Sequence, residues 1–240
     1  MDKAFGQWLQ NESLGQYVLA REQAFYQKVL TDIFGLYALQ MGLCEIDFLK
    51  NSRIATTIKL GQDASANLFA QAEAIPCDWR SVDLVVLPHT LELSNNPHQV
   101  LNEVRRILVP EGKVVITGFN PASLWGIRRQ NFAVMTPRAQ MIGWWRLKDW
   151  LKLLGFEISL GQFMVYVPPC SCIEWVKRFD FMEKAGNRWW PQLAAVYALV
   201  ATKQVYNVTP LYAAKNKKIP LRTRALNEAK VSSQLIDTRR

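Results

Sequence analysis

The chain has 240 residues, of which half are hydrophobic and a fifth are charged, and it carries four cysteines and a net charge of +9. This length and composition fit an α/β domain with a substantial core, and they exclude a fibrous or largely disordered protein. No apolar run approaches the roughly 20 residues that cross a bilayer, and the first residues lack the pattern of a signal peptide, so we expect a cytoplasmic protein.

The first 34 residues predict a separate helical segment. Apolar residues recur at three-to-four-residue spacing over residues 14 to 33, and Ser13 stands before them as a candidate N-cap. This spacing predicts an amphipathic helix that ends before Gly35. The domain that follows should therefore begin near residue 35.

Three short stretches after Gly35 predict strands, namely residues 36 to 41, 53 to 60 and 67 to 72. A fourth, residues 82 to 87 (VDLVVL), is a continuous apolar run of the kind found in a strand covered on both faces.

A strand, a helix and a second strand follow one another closely in the middle of the chain. Residues 97 to 108 have one apolar side and one polar side, which predicts a helix after the strand at 82 to 87. A turn at 110 to 112 then leads into an apolar strand at 113 to 118. This order is typical of a right-handed crossover unit in a parallel sheet.

The four cysteines are Cys44, Cys77, Cys170 and Cys172, and no two of them form a CxxC pair. With two histidines in the whole chain, the pattern predicts buried or free thiols, with no disulfides and no metal site.

The last 36 residues, 205 to 240, carry eight basic and two acidic side chains and a net charge of +6. Two prolines and little apolar periodicity predict a basic, flexible tail. Such a tail either keeps the protein in solution or contacts the phosphates of nucleic acid or an acidic surface without sequence preference.

Five motifs follow one another at fixed spacing between residues 72 and 112. They are the segment Ala72 to Pro76, Asp83 at the start of a strand, His89 to Glu92 after it, Glu103 to Leu108 at a helix end, and the turn Pro110 to Gly112. This set resembles class I S-adenosylmethionine-dependent methyltransferases that act on small molecules. Residues 118 to 129 (GFNPASLWGIRR) are similar to one bacterial branch of that superfamily.

The resemblance implies a Rossmann-like α/β fold with a mostly parallel sheet and an antiparallel last strand. Residues 147 to 154 would form its late helix, the chain after Gly155 its sixth strand, and residues 195 to 203 its seventh strand at the reversed edge of the sheet. Because 41 residues separate Gly42 from Asp83, we expect a reduced N-terminal half that lacks at least one helix. The domain should span residues 35 to 204, and an aromatic insertion at 172 to 190 either packs on the sheet or covers an apolar substrate or partner.

The resemblance also implies S-adenosylmethionine as the cofactor, bound at the carboxyl ends of the strands. The corresponding positions are Gly42, Gln71, Ala72, Pro88, His89 and Leu91. His89 would face the methionine portion of the cofactor, and His98 would not contact it. No catalytic residue is assigned, because methyl transfer needs little beyond positioning.

The glycine-rich loop of the family is reduced here to Gly42, with Cys44 and Ile46 where further glycines are usual. No acidic residue ends the second strand, since Asp63 lies beyond it. We expect the extra side chains to crowd the cofactor and to weaken its binding to a dissociation constant on the order of 0.1 mM or poorer.

Two functions therefore stay open from the sequence. The chain is either a methyltransferase acting on an unidentified small-molecule acceptor, or a methyltransferase-like scaffold without activity that binds or regulates through its tail and aromatic insertion. The loop at residues 42 to 46 is the feature that separates the two.

The tail prediction has a direct test in thermal unfolding. Deleting residues 208 to 240 should leave the melting temperature nearly unchanged, because this segment has little apolar surface to bury. A decrease of more than about 5 °C, which means over roughly 1 kcal/mol for a domain of this size, would show that the tail docks on the domain.

Overall fold

The computed structural model describes residues 3 to 127, 140 to 168, 186 and 188 to 204. The basic tail and most of the aromatic insertion at 172 to 190 lie outside these residues. The helices are α1 (Lys3–Asn11), α2 (Ser13–Leu30), α3 (Thr90–Leu93), α4 (Pro97–Ile107), α5 (Leu124–Ile127) and α6 (Trp144–Leu153), with a short 3₁₀ helix at Pro191–Leu193. The strands are β1 (Tyr37–Met41), β2 (Thr56–Gly61), β3 (Leu68–Phe69), β4 (Val82–Pro88), β5 (Leu108–Phe119), β6 (Phe156–Met164) and β7 (Val196–Lys203).

The described strands form one sheet with the order β3-β2-β1-β4-β5-β7-β6. Strands β1 to β5 pair in parallel, and β7 runs antiparallel to both β5 and β6. The mostly parallel sheet with an antiparallel last strand is confirmed. The position of β7 differs from our expectation, since it lies inside the sheet and β6 forms the edge. Strand β7 is buried along nearly its whole length, whereas β6 exposes much of its surface.

Strand β4 occupies the centre of the sheet, as its continuous apolar sequence predicts. Of its seven residues only Asp83 is not fully buried. The crossover through α4 to β5 is also confirmed, although β5 begins at Leu108 and includes the expected turn at 110 to 112.

Two apolar clusters cover the two faces of the sheet. Helices α1 and α2 and the loop after β1 pack on one face, against side chains such as Leu84, Val86 and Val115. Helices α4 and α6 pack on the other face, against side chains such as Val85 and Leu87. Because residues alternate between faces along a strand, the run VDLVVL supplies apolar side chains to both clusters.

The N-terminal half of the sheet is reduced, as predicted. Residues 42 to 55, between β1 and β2, and residues 70 to 81, between β3 and β4, contain turns but no helix. The predicted helix at 14 to 33 is observed as α2, although Glu12 holds the N-cap position and makes no side-chain capping bond. Helix α1 was not predicted from the sequence. No described helix has the length and apolar character needed to span a membrane.

Asp83 fixes the start of β1 from the neighbouring strand. Its Oδ2 atom accepts hydrogen bonds from the backbone N–H groups of Leu36 at 2.7 Å and Tyr37 at 3.0 Å. Gly35 lies so close that a Cβ atom there would be 2.4 Å from Asp83 Cβ. The carboxylate and the glycine together set how the chain enters the sheet.

Replacing Asp83 with alanine should lower the free energy of unfolding by about 1–3 kcal/mol, because two backbone donors lose a charged acceptor. Urea denaturation monitored by circular dichroism measures this change. The matched control is Asp149→Ala, which removes an exposed carboxylate from α6 and should alter stability by less than about 0.5 kcal/mol. Equal effects of the two substitutions would contradict this role for Asp83.

Candidate functional site

The loop after β1 is held by one buried amide side chain. Gly42 and Leu43 both adopt left-handed backbone conformations, with φ values of 83° and 45°. The Nε2 atom of Gln40 donates to the carbonyl oxygens of Gly42, Leu43 and Ile46 at 3.2, 3.2 and 2.8 Å. Its Oε1 atom accepts from the Phe48 N–H at 3.1 Å. Gln40 therefore gives a fixed shape to a segment without a helix.

The side chains in this loop point into the protein core. Leu43 and Ile46 belong to the apolar cluster under α1 and α2. Cys44 is buried, and its thiol lies 3.4 Å from the Leu60 carbonyl oxygen. This arrangement corrects our expectation that Cys44 and Ile46 would crowd the cofactor, because two left-handed residues in succession turn these side chains away from the carboxyl edge of the sheet.

A cavity of about 610 Å³, called here the first cavity, opens at the carboxyl ends of β1, β2, β3 and β4. Ligand pockets in proteins have volumes of about 300 to 1,000 Å³. The residues lining it are Gly42, Leu60, Gly61, Gln62, Ala70, Gln71, Ala72, Glu73, Thr90, Leu93, Ser94, Asn95 and Asn96.

Hydrogen bonds fix two parts of the wall of the first cavity. Glu73, after β3, accepts a hydrogen bond from Ser94 Oγ at 2.6 Å, and Ser94 Oγ in turn accepts from the Asn96 N–H at 3.0 Å. Thr90 Oγ1 donates to the carbonyl oxygen of Met41, which joins the end of β4 to the end of β1. Among the described residues, the wall contains one carboxylate, several amides and hydroxyls, and no lysine or arginine.

Three of the six residues predicted to bind cofactor, Gly42, Gln71 and Ala72, line this cavity. Pro88, His89 and Leu91 are buried and are not among its lining residues. Contact between these residues and a cofactor stays a prediction, but the His89 side chain lies elsewhere than we expected.

The His89 ring is buried between two carboxylates, one on α2 and one on α3. Its Nε2 atom is 2.6 Å from Glu22 Oε1 on α2, and its Nδ1 atom is 2.9 Å from Glu92 Oε2 on α3. All three side chains are at most 4% exposed. The rings of Phe5 and Phe119 enclose the imidazole at centroid distances of 5.1 and 4.4 Å. A left-handed backbone at His89, with φ of 52°, directs its ring toward α2.

Both ring nitrogens of His89 face carboxylate oxygens, and both can donate only when the imidazole is protonated. Burial lowers the pKa of His89, but Glu22 and Glu92 raise it by more, and the result is a pKa of about 10. Burial raises the pKa of Glu92, in spite of its bonds to His89 and the Phe119 N–H. The cluster therefore holds an imidazolium at neutral pH.

A second cavity, also of about 610 Å³, lies beside the first, and the two share Asn95 and Asn96 as lining residues. It is lined by Asn95, Asn96, Pro97, His98, Asn120, Pro121, Ala122, Gln140, Met141, Ile142, Gly143, Trp144, Trp145, Arg146, Trp150, Phe163 and Gln192. His98, which we expected not to contact the cofactor, lines this second cavity and not the first.

Asn120, directly after β5, forms hydrogen bonds that connect two segments at the second cavity. Its Nδ2 atom donates to the carbonyl oxygens of Gln192 at 2.7 Å and Ala194 at 3.0 Å, and its Oδ1 atom accepts from the Ala122 N–H at 3.1 Å. Asn120 thus joins the end of β5 to the segment before β7.

Several wall residues were not predicted from the sequence, namely Gln62, Glu73, Thr90, Ser94, Asn95 and Asn96 in the first cavity. The motif from Ala72 to Pro76 includes Glu73, so its acidic side chain was the available signal. The aromatic wall of the second cavity gave no comparable signal, because its members are dispersed over the chain from His98 to Phe163.

Residues 37 to 116, about a third of the chain, match a protein family described as a methyltransferase domain. The matched stretch runs from β1 into β5 and contains every residue that lines the first cavity. The uncharacterised Escherichia coli protein YafS is 33% identical over 148 residues, which cover 60% of this chain and 58% of that protein. The chain thus spans less than two thirds of this relative.

Solved structures resemble the fold over most of the chain. A S-adenosylmethionine-dependent methyltransferase from Thermotoga maritima has a TM-score of 0.58 and 16% identity, and the match covers 79% of this chain and 90% of that one. One from Archaeoglobus fulgidus has a TM-score of 0.57 and 18% identity, with coverage of 78% and 94%. A chain from a complex of the Haloferax volcanii Trm112 methyltransferase activator with a methyltransferase has a TM-score of 0.61 and 13% identity, with coverage of 84% and 98%. At these identities the likeness is one of fold.

The buried cluster predicts how stability depends on pH. Folded protein keeps a proton on His89 up to a pKa of about 10, whereas an unfolded chain releases it near pH 6.5. Between these values the folded state binds more protons, so the free energy of unfolding should fall as pH rises. The raised pKa of Glu92 acts in the same direction.

Urea denaturation at pH 7, 8 and 9 should show a decrease that is steeper than in His89→Gln by on the order of 1 kcal/mol per pH unit. The control His98→Gln removes the other histidine and should keep the slope of the native protein. If His89→Gln does not fold, the ¹⁵N spectrum of the native protein tests the same point. A neutral imidazole at position 89 at pH 8 would contradict the cluster as described.

Proposed function

We propose that this protein binds S-adenosylmethionine and transfers its methyl group to a small-molecule acceptor. The match of residues 37 to 116 to a methyltransferase-domain family, and the fold shared with S-adenosylmethionine-dependent methyltransferases, support this proposal. The observation that carries this proposal is the pair of adjoining cavities at the carboxyl edge of the sheet. In doubly wound folds, ligands bind at this edge. We assign the cofactor to the first cavity and the acceptor to the second.

The residues of the first cavity fit the chemistry of S-adenosylmethionine, whose sulfonium and amino groups are cationic. Glu73 is the one charged residue on the described wall, and its carboxylate suits a cation. Gln62 and Gln71 offer amide groups to the ribose hydroxyls and the adenine amine in place of the usual acidic residues. Leu60, Ala70 and Ala72 supply apolar surface for the adenine ring.

The glycines at the ends of β1 and β2 add no side chain to the first cavity. Gly42 and Gly61 both line the cavity, and a Cβ atom at Gly61 would lie 2.7 Å from Cys44 Sγ. Gly61 therefore gives Cys44 room beneath the cavity floor, so the altered glycine loop is compatible with an open site. The alternative function, a scaffold without activity, rested mainly on the altered loop at residues 42 to 46, and an open site removes that argument.

When bound, S-adenosylmethionine supplies a methyl group that moves to the nucleophilic atom of the acceptor, while the sulfur keeps the electron pair of its broken bond and the acceptor proton passes to solvent. The contribution of the chain is to hold two reactants in contact and in line. Asn95 and Asn96 belong to both walls, so they lie where the two ligands meet. Asn120 holds the acceptor side in place through its bonds to the segment before β7.

The size of the second cavity supports a small molecule as acceptor, because about 610 Å³ lies within the range of small-ligand pockets. A separate contact of the +6 tail with phosphates or an acidic surface remains a proposal that its charge supports.

Calorimetric titration of S-adenosylmethionine and S-adenosylhomocysteine tests the cofactor assignment. Because the side chains of Cys44 and Ile46 lie in the core, we expect tighter binding than the sequence alone predicted, at one site with a dissociation constant of roughly 10 to 100 µM, which corresponds to about 5.5 to 7 kcal/mol. Ala72→Trp should fill the adenine side of the first cavity and weaken binding at least tenfold.

The matched control is Ala74→Trp, which adds the same side chain to an exposed position of the same loop, outside the lining residues. It should leave binding unchanged. Absence of saturable binding to the native protein, or equal loss in both variants, would contradict the proposal.

A further inference from the structure

The wall of the second cavity is unusually rich in aromatic side chains. Trp144, Trp145, Trp150 and Phe163 all line it. Among small-molecule sites, large flat side chains in one wall favour flat apolar ligands, since stacked or edge contacts between rings add to the free energy of burial.

The Trp144 ring is fixed in place from several sides. It contacts Phe163 at a centroid distance of 5.0 Å and Tyr197 at 5.8 Å. Its far edge lies over Gly161 of β6, where a Cβ atom would be 2.3 Å from Trp144 Cη2. Tyr197 donates to the Ile142 carbonyl oxygen at 2.8 Å, which holds the chain before α6 against the sheet. This part of the wall is therefore formed before any ligand binds.

The charge of the second cavity differs from that of the first. No carboxylate lines its described wall, and Arg146 is its one permanently charged residue. The Arg146 guanidinium carbon lies 5.2 Å from the centroid of the Trp150 ring, and the His98 ring contacts Trp150 at 3.8 Å between centroids. A cation thus lies over one ring of the aromatic surface, in a wall that also carries the amide groups of Asn95 and Asn96.

We propose that the second cavity binds a planar aromatic acceptor that carries an anionic group, with its ring on the tryptophan surface and its anion toward Arg146. The role of this ligand as methyl acceptor rests on the proposed methyl transfer. Its binding in the second cavity does not depend on the cofactor. A planar guanidinium suits a carboxylate particularly well, because it can donate two parallel hydrogen bonds.

The test uses 4-hydroxybenzoate as the probe and 4-hydroxybenzyl alcohol as its neutral match, each titrated by calorimetry at low ionic strength without cofactor. The acid should bind at one site, roughly threefold to fivefold more tightly than the alcohol, which is the range for an ion pair at a partly open site. Arg146→Gln should remove this difference and leave the alcohol unaffected.

Lys148→Gln is the matched control, since it removes a positive charge from the same helix at a residue outside the cavity wall. It should preserve the preference for the acid. Trp150→Leu should weaken both probes about tenfold, and a cooperative thermal transition above the temperature of the titration would show that the variant is folded. Equal binding of acid and alcohol to the native protein, equal losses in Arg146→Gln and Lys148→Gln, or no saturable binding would overturn the inference.

Binding of aromatic acids and binding of S-adenosylmethionine are measured separately, so one proposal can fail without the other. If S-adenosylmethionine binds but aromatic acids do not, the inference fails and the proposed function stands. If aromatic acids bind through Arg146 but S-adenosylmethionine does not bind, the proposed function fails and the assigned binding site stands.

Discussion

The buried imidazolium of His89 joins three elements, α2, α3 and the end of β5, through charged hydrogen bonds. Glu22 brings α2 to the ring, Glu92 brings α3, and the second Glu92 oxygen accepts a hydrogen bond from the Phe119 N–H at the end of β5. Breaking a buried ion pair by removing one partner costs about 3–5 kcal/mol, because the remaining charge stays buried. The positions of the carboxyl ends of β4 and β5 thus depend on α2, which precedes the sheet in sequence. Thr90 follows β4 on one cavity wall, and Asn120 follows β5 on the other.

The N-terminal helices also compensate for the reduced first half of the sheet. With no helix between β1 and β2, the apolar face beside β1 and β4 is covered by α1, α2 and the loop after β1. That loop forms turns instead of a helix, and Gln40 stabilises it through four hydrogen bonds with its backbone. A buried amide that satisfies several backbone groups at once is a strong constraint, because each group would be costly to leave without a partner. Hydrogen bonds therefore fix the backbone of the loop at the cavity edge, even though Gly42 is its one glycine.

The sequence predicted those parts of the fold whose signal is local. The continuous apolar run at β4, the two-sided helix α4 and the motif with Asp83 were all recognisable, and they lie where expected. Helix α1 was missed, although Phe5, Trp8 and Leu9 have the spacing of a helix face. The role of His89 could not be predicted in the same way, because its partner Glu22 lies 67 residues earlier in the chain. The direction of the Cys44 and Ile46 side chains was likewise hidden, since it depends on two successive left-handed residues, one of which is not glycine. In the site, glycine and alanine positions near the strand ends were predictable from the family resemblance, whereas the second cavity arises from tertiary packing alone.

We propose that the first cavity binds the cofactor in spite of the altered glycine loop. A crystal structure of the protein with S-adenosylhomocysteine tests it most directly. We expect the nucleoside between Gly61 and Ala72, with the side chains of Cys44 and Ile46 still in the core. Electron density for the ligand at another place, or a loop in which either side chain has moved into the first cavity, would show that the first cavity is not the cofactor site.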